Sequence, residues 1–244
     1  VGGERGGITQ TPTISSNCYA TLITGTWVNK HNVWDNNIAN PNYNYPTIFR
    51  LYKDAYPDGK TAIYSTWLDN RTKLLGEGLD ATKNLKIDYA FDGLDHDTIN
   101  YPHDKHSNYI KKIDAAVASE AASSISKNGP DLSWVYLQYT DDAGHHYGNS
   151  PEFYNSITYH DALIGLIYDA VKQREEEYNE EWLFIVATDH GRTPLTARSH
   201  GGQSDSERNT WMVINKKDIN DYALNYRTAA VDLLPTIADY MNIA

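Results

Sequence analysis

The sequence predicts an α/β domain with a mainly parallel central sheet and helices on both faces. Short apolar segments of the buried-strand type alternate with amphipathic helical segments along the chain, and this alternation is typical of parallel sheets. Two of the strand segments end in clusters of acidic and histidine residues, where a parallel sheet usually carries its chemistry. We expect all 244 residues to form a single domain.

The predicted elements follow from periodicity and from boundary residues. The predicted helices are residues 18–24, 47–56, 108–126, 150–177 and 229–241. The predicted strands are residues 61–66, 85–91, 134–137, 182–187 and 210–214. Gly129-Pro130 stops the third helix, and Ser150 followed by Pro151 starts the fourth with an N-cap and a favoured first residue.

Three segments are predicted to be loops or turns. Residues 28–46 contain seven Asn and show neither helical nor strand periodicity, which indicates a long surface loop, either a lid over the substrate or a solvated connection. The acidic run 92–97 resembles a calcium loop but lacks the closing glutamate, so a solvated turn is favoured. His103 and His106 lie in a polar segment and are interpreted as surface residues.

Composition excludes several classes of function. A net charge of −11 opposes binding to duplex nucleic acid, although bound divalent metals can invert the local field for a phosphorylated substrate. No apolar run approaches the ~20 residues of a membrane helix. Cys18 is the only cysteine, so an internal disulfide and a thiolate zinc cage are both excluded, and any metal must be bound by His and carboxylate.

The first acid/His cluster follows the strand at 134–137. Asp141 and His145 are four residues apart, so one helical turn would place both side chains on the same face. The second cluster, Asp189 with His190, follows the strand at 182–187, and a later loop carries His200. Each residue alone could be a helix cap, a core group or a surface group. Together, nitrogen and oxygen ligands at strand ends favour a pair of divalent metals such as Zn²⁺.

Ser15 precedes the first short helix and has two interpretations. Thr, Ser and Asn before a helix are typical N-cap residues, and this chemistry favours a cap. A helix N-terminus also suits a phosphate, because its free N–H groups point toward the ligand.

At this point the sequence resembles the alkaline phosphatase superfamily, and most closely its type I phosphodiesterase/nucleotide pyrophosphatase branch. The resemblance rests on the Asp-Asp-Ala-Gly-His run at 141–145, the Thr-Asp-His-Gly run at 188–191, and His-Gly-Gly at 200–202 with Glu207-Arg208 behind it. Weaker support comes from Thr24-Gly25 and from residues 232–237.

The resemblance implies a metal-dependent hydrolase of phosphodiester or nucleotide pyrophosphate bonds, acting through a covalent phosphoseryl intermediate at a site with two zinc ions. One metal is assigned to Asp141, His145 and His200, and the other to Asp189 and His190. Asp142 is assigned no ligand role. The resemblance also implies a nucleophile, which is Ser15 when counted back from Thr24-Gly25. Thr13 and Ser16 are the lesser candidates.

The same resemblance assigns a phosphate-oxygen contact to Asn36, which follows His31-Asn32 where the family has a His-Gly step. Asn32 then replaces the Gly, and Asn adopts positive φ more readily than most residues. The family also has a ligating Asp at the end of a first strand. No Asp precedes Ser15 here, so we expect a processed or truncated chain that lacks that N-terminal strand.

Two alternatives remain at this stage. The chain could be a phosphomonoesterase or phosphonate hydrolase of the same superfamily, although monoesterases usually add an Arg soon after the nucleophile and residues 16–49 contain none. It could also be a non-catalytic metal-binding protein on the same fold. The expected partner is a small phosphorylated substrate, such as a nucleotide or a phosphodiester. Family habit suggests a periplasmic or secreted location.

Overall fold

The computed structural model describes residues 1–217 and 219–243. Its α-helices are α1 (Ser15–Thr24), α2 (Val28–His31), α3 (Ile48–Ala55), α4 (Asn108–Asn128), α5 (Tyr139–Tyr147), α6 (Pro151–Tyr178), α7 (Asp205–Arg208), α8 (Asp221–Asn225) and α9 (Leu233–Tyr240). Its strands are β1 (Thr61–Ser65), β2 (Tyr89–Phe91), β3 (Leu132–Tyr136), β4 (Ile185–Ala187) and β5 (Met212–Ile214).

The central sheet is parallel and has the strand order β2-β1-β3. Ala62 of β1 lies opposite Tyr89 of β2 on one side and opposite Ser133 of β3 on the other. β4 and β5 form a separate antiparallel pair, with Val186 opposite Val213. The predicted α/β class with a mainly parallel sheet is therefore confirmed, and the antiparallel pairing of β5 is the departure from a fully parallel arrangement.

Different helices cover the two faces of β1. Ala62 and Tyr64 belong to a buried cluster with residues of α4 and α6, whereas Ile63 packs in a second cluster with residues of α1 and α3. Successive side chains of a strand point to opposite faces. The sheet is therefore covered on both sides, and all five residues of β1 are buried, as is typical of a central parallel strand.

Four observed strands, β1, β2, β4 and β5, are shorter than their predicted segments, and ahead of β2 and β4 side chains accept backbone N–H groups. The N–H of Trp182 donates to Glu175 Oε1 at 3.2 Å, and the N–H of Phe184 donates to Asn215 Oδ1 at 2.8 Å, so β4 begins only at Ile185. Similarly, the N–H of Ile87 donates to a carboxylate oxygen of Glu77, and β2 begins at Tyr89.

Most helix boundaries follow the sequence signals. Ser150 Oγ accepts the N–H of Phe153 at 3.2 Å, with Pro151 as the first helical residue of α6. Gly129 ends α4 in the left-handed conformation, with φ of 51°. The predicted helix at 229–241 instead begins with a 3₁₀ turn, Ala230–Asp232, before α9. No helix in the described part of the chain is both long and apolar enough to span a membrane.

The predicted loops also differ in detail from the observed structure. Residues 28–46 are largely irregular but include the short helix α2. The acidic run 92–97 contains a 3₁₀ turn, and its Asp92 pairs with the guanidinium of Arg71. His103 and His106 are exposed, as the sequence predicted.

Candidate metal and phosphate site

Ser15 is the first residue of α1 and does not act as its cap. The N-cap position is Ile14, whose side chain makes no capping hydrogen bond. The Ser15 hydroxyl instead lies 3.3 Å from Nε2 of His190, across 175 residues of sequence. The interpretation of Ser15 as a helix cap, which local sequence favoured, is therefore wrong. Its hydroxyl contacts His190 instead of a backbone N–H of α1.

The two lesser nucleophile candidates are enclosed by protein. Thr13 is fully buried, and its hydroxyl accepts the N–H of Gly201 at 2.9 Å and donates to the carbonyl of Gly202 at 3.0 Å. Ser16 is also fully buried. Of these three hydroxyls, that of Ser15 lies against a predicted metal ligand.

Asn36 lies beside the start of α1. Its Oδ1 accepts the N–H of Ser16 at 3.1 Å, so the side chain is fixed next to Ser15. Asn32, four residues earlier, has φ of 59°. The expectation that Asn32 takes the left-handed conformation in place of Gly is confirmed.

Asp141 and His145 lie on α5 as the four-residue spacing predicts. Asp141 Oδ2 is 3.2 Å from His145 Nε2. His200 reaches the same place from its loop, with Nε2 at 3.1 Å from His145 Nε2 and 3.7 Å from Asp141 Oδ1. The structure therefore brings these three predicted ligands together.

Asp189 and His190 follow β4 and adjoin this first group. Asp189 Oδ2 lies 3.2 Å from His190 Nε2, and the His190 ring stacks on that of His200 with centroids 3.8 Å apart. Ligand atoms of Asp141, His190 and His200 all lie within 4.8 Å of one another. His190, which was assigned to the second metal, therefore also lies close to the ligands predicted for the first metal. The two predicted sites adjoin each other.

Each site histidine directs Nε2 toward the cluster because its Nδ1 faces a backbone carbonyl. The three contacts are His145 Nδ1 to Arg198 O at 2.8 Å, His190 Nδ1 to Gly191 O at 3.0 Å, and His200 Nδ1 to Thr13 O at 2.8 Å. A carbonyl oxygen only accepts hydrogen bonds, so each Nδ1 carries a proton and donates, and Nε2 is the ring atom available to a metal once it is unprotonated. This is the usual tautomer of metal-binding histidines.

The two aspartates have opposite electrostatic surroundings. Burial disfavours the charge of Asp141, but hydrogen bonds from His145 and His200 more than offset it and hold the pKa of Asp141 well below its usual range. The hydrogen bond to Asp141 in turn raises the pKa of His145. Burial raises the pKa of Asp189, whose Oδ2 has no hydrogen-bond donor in the described part of the chain.

These residues fit divalent metal ions. Two imidazole lone pairs that face each other at 3.1 Å, between His145 and His200, repel unless a cation or a proton lies between them. The buried Oδ2 of Asp189 is likewise an acceptor that a cation would satisfy. The set contains imidazole and carboxylate without sulfur, which suits zinc among the common metals.

Arg192 is the site residue that the sequence reasoning missed. Its Nη1 donates to Asp141 Oδ1, and its Nε donates to the carbonyl of Ala197 at 2.6 Å. A Cβ on Gly144 would lie 2.4 Å from the Arg192 Cζ, so this glycine admits the guanidinium against α5. Its position two residues after His190 was the available signal, since that loop was already assigned to the site.

Asp142 is directed away from the ligand cluster. Its Oδ2 accepts a hydrogen bond from Gln138 Nε2 at 2.9 Å, and burial raises the pKa of its carboxyl. Its neighbour Asp141 is the residue that meets His145 and His200. The carboxylate of Asp142 therefore lies outside the group formed by Asp141, His145 and His200.

Comparisons with known proteins extend over most of the chain. A family model described as type I phosphodiesterase / nucleotide pyrophosphatase matches residues 4–236. No curated protein sequence matches significantly. Two solved structures of phosphonoacetate hydrolase from Sinorhizobium meliloti 1021, with phosphonoformate and with phosphonoacetate, are each 16% identical, with TM-scores of 0.46 and 0.45. Each match covers 74% of this chain and 46% of the hydrolase, so the chain spans about half of that protein's length.

Proposed function

The chain belongs to the type I phosphodiesterase / nucleotide pyrophosphatase family, and from this premise we propose that it hydrolyses phosphodiester or nucleotide pyrophosphate bonds with divalent metals. This membership confirms the branch of the alkaline phosphatase superfamily that the sequence resembled. The observation that carries the proposal is the 3.3 Å contact between Ser15 Oγ and His190 Nε2. It joins a hydroxyl at a helix start to a cluster of metal-ligand type.

The cluster offers ligands for two metals. Asp141, His145 and His200 would hold one, and Asp189 with His190, beside Ser15, would hold the other. When bound, such metals lower the pKa of an attacking hydroxyl and neutralise the charge of the attacking and leaving oxygens. The close approach of His190 to Asp141 and His200 supports two adjoining sites rather than two distant ones.

The chain's own residues supply the nucleophile and the positioning. Ser15 Oγ releases its proton to solvent and attacks phosphorus, an Oγ–P bond forms as the bond from phosphorus to the leaving oxygen breaks, and that oxygen takes up a proton from solvent. Water then cleaves the phosphoseryl intermediate and restores the hydroxyl. Because Asn36 Oδ1 already accepts the N–H of Ser16, Nδ2 is the atom that would donate to a non-bridging phosphate oxygen.

A diester substrate is favoured over a monoester because a monoester carries an additional negative charge. Residues 16–49, which include the nucleophile helix, contain no Arg. The guanidinium of Arg192 does enter the site, but its charge is paired with Asp141 and its Nε is bound by the carbonyl of Ala197, which leaves only the buried Nη2 without an acceptor among the described residues. A diester, with one charge and a second substituent, fits this set of cations better.

The test compares turnover of a bis-aryl phosphate diester with turnover of an aryl monoester in zinc-loaded protein. We expect a preference for the diester in the wild type and a loss of at least about a thousandfold in Ser15→Ala. Ser16→Ala is the matched control, because it removes the neighbouring buried hydroxyl, and it should retain activity. Equal turnover by Ser15→Ala would refute the nucleophile, and a strong monoester preference would refute the diesterase assignment.

A further inference from the structure

Helix α5, which carries Asp141 and His145, has no local cap. Its N-cap position is Gln138, whose side chain makes no capping bond, and β3 ends only two residues earlier at Tyr136. The first N–H groups of a helix need acceptors. For α5 they come from α4, because the fully buried carboxylate of Asp114 accepts the N–H of Gln138 at 3.0 Å and that of Tyr139 at 2.7 Å.

The same carboxylate binds two further elements. Its Oδ1 accepts the hydroxyl of Thr66, the residue that follows β1, at 2.5 Å, and its Oδ2 lies 2.7 Å from Nε2 of His160 on α6. His160 is 7% exposed. Asp114 therefore joins the carboxyl ends of two parallel strands to α4, to α6 and to the start of α5.

From this junction we propose that Asp114, supported by His160, is a positioning residue that sets the orientation of α5 and thereby places Asp141 and His145 for metal binding. The inference rests on the proposed function, because it assigns those two residues to a metal. Asp114 itself touches no predicted ligand, so it acts through the helix.

A small tilt of α5 would move His145 farther than the geometry of a metal site allows. His145 lies six residues beyond Tyr139, about 9 Å along the helix at 1.5 Å per residue. A tilt of about 10° at the start of α5 would displace His145 by roughly 1.6 Å, whereas metal–ligand distances are held within about 0.2 Å. Loss of groups that orient ligands typically weakens metal binding or activity by about 10–100-fold.

A buried cap could also serve only stability, and the chain offers a matched control for that possibility. Asp88 is also largely buried. Its Oδ2 accepts the N–H of Thr61 at 2.9 Å and forms an ion pair with Lys53 Nζ at 2.6 Å. Thr61 is the first residue of β1, so Asp88 lies at the amino end of the strand, opposite to the end that carries Thr66. Asp88→Asn should therefore destabilise the fold without tilting α5.

The experiment measures zinc affinity by competition with a chromogenic chelator, and amide hydrogen exchange of residues 139–147 in metal-free protein. We expect Asp114→Asn to weaken zinc binding by about 10–100-fold, to accelerate exchange in α5, and to regain diesterase turnover in excess zinc. Asp88→Asn should keep wild-type zinc affinity and wild-type exchange in α5. His160→Leu, which leaves the carboxylate in place, should shift both measurements in the same direction by less.

The positioning role would be overturned if Asp114→Asn and His160→Leu both kept wild-type zinc affinity and wild-type hydrogen exchange in α5. This holds even if their melting temperatures fell. A wild-type chain that bound no zinc would contradict the proposed function instead. In that case the exchange measurement would still decide whether Asp114 orients α5.

Discussion

Asp141 and Asp189 both follow strands of the α/β fold, yet their surroundings shift the pKa values of the two carboxyl groups in opposite directions. Asp141 contacts His145, His200 and the guanidinium of Arg192, and its pKa is lowered although burial alone would raise it. Asp189 Oδ2 is buried, receives no hydrogen bond from a described group and lies 3.2 Å from His190 Nε2, and burial raises the pKa of this carboxyl. The fold thus supplies the Arg192 guanidinium to one carboxylate, while an oxygen of the other has no hydrogen-bond donor among the described residues.

The largest expected effects come from removing each charge in turn. Asp141→Asn and Asp189→Asn should both reduce diesterase turnover by more than about a hundredfold, since each removes a predicted metal ligand. In metal-free protein the two should differ. Asp141→Asn should lower the free energy of unfolding by about 3 kcal/mol, because it strands the Arg192 guanidinium, whereas Asp189→Asn should be neutral or stabilising by about 1 kcal/mol.

Urea unfolding with and without zinc checks this contrast. Zinc should stabilise the wild type by mass action and should stabilise both variants less. Equal losses of stability in the two metal-free variants would contradict the difference in charge compensation between the carboxylates.

His31 lies outside the predicted metal ligands but should make the free energy of unfolding depend on pH. Burial lowers the pKa of His31 to about 4 from an ordinary 6.5, and its ring binds Thr21 and the N–H of Val33. The native state keeps this ring neutral, so the unfolded chain binds the extra proton between these values. The stabilising contribution is complete above about pH 6.5 and is lost as pH falls toward 4, by about 3 kcal/mol.

Unfolding free energies of wild type and His31→Gln at pH 4 to 7.5 provide the check. The wild type should lose about 3 kcal/mol more than the variant across this range. Parallel stability curves for the two proteins would show that His31 does not titrate in this way.

The smallest expected effect concerns the access of Arg192 to Asp141. Gly144→Ala places a Cβ 2.4 Å from the Arg192 Cζ, so the guanidinium must move and the compensation of Asp141 should weaken. We expect a loss of about 1–3 kcal/mol in unfolding free energy. Gly165→Ala, in α6 with no atom within 4 Å of the new Cβ, should gain about 0.5–1 kcal/mol. Thermal unfolding of both variants measures the difference, and equal shifts would refute the steric argument.

The sequence predicted those features that follow from local periodicity and spacing. The four-residue spacing of Asp141 and His145 placed both on one face of a helix, and the Asn32 substitution for Gly predicted its positive φ. Ser15 looked like a cap because the competing partner, His190, is 175 residues away. Arg192 and Asp114 were missed for the same reason, since their partners lie on other elements and no local pattern specifies those pairings.

Zinc stoichiometry tests whether the converging Asp and His side chains bind two divalent metals, as we propose. Equilibrium dialysis against zinc, followed by elemental analysis, should give about two zinc ions per chain in the wild type. His200→Ala should lose one of them, since His200 Nε2 lies 3.1 Å from His145 Nε2 and 3.7 Å from Asp141 Oδ1. Wild-type protein that retained no zinc would show that these side chains do not bind the metal, and His200→Ala that retained the full wild-type complement would show that His200 is not a ligand.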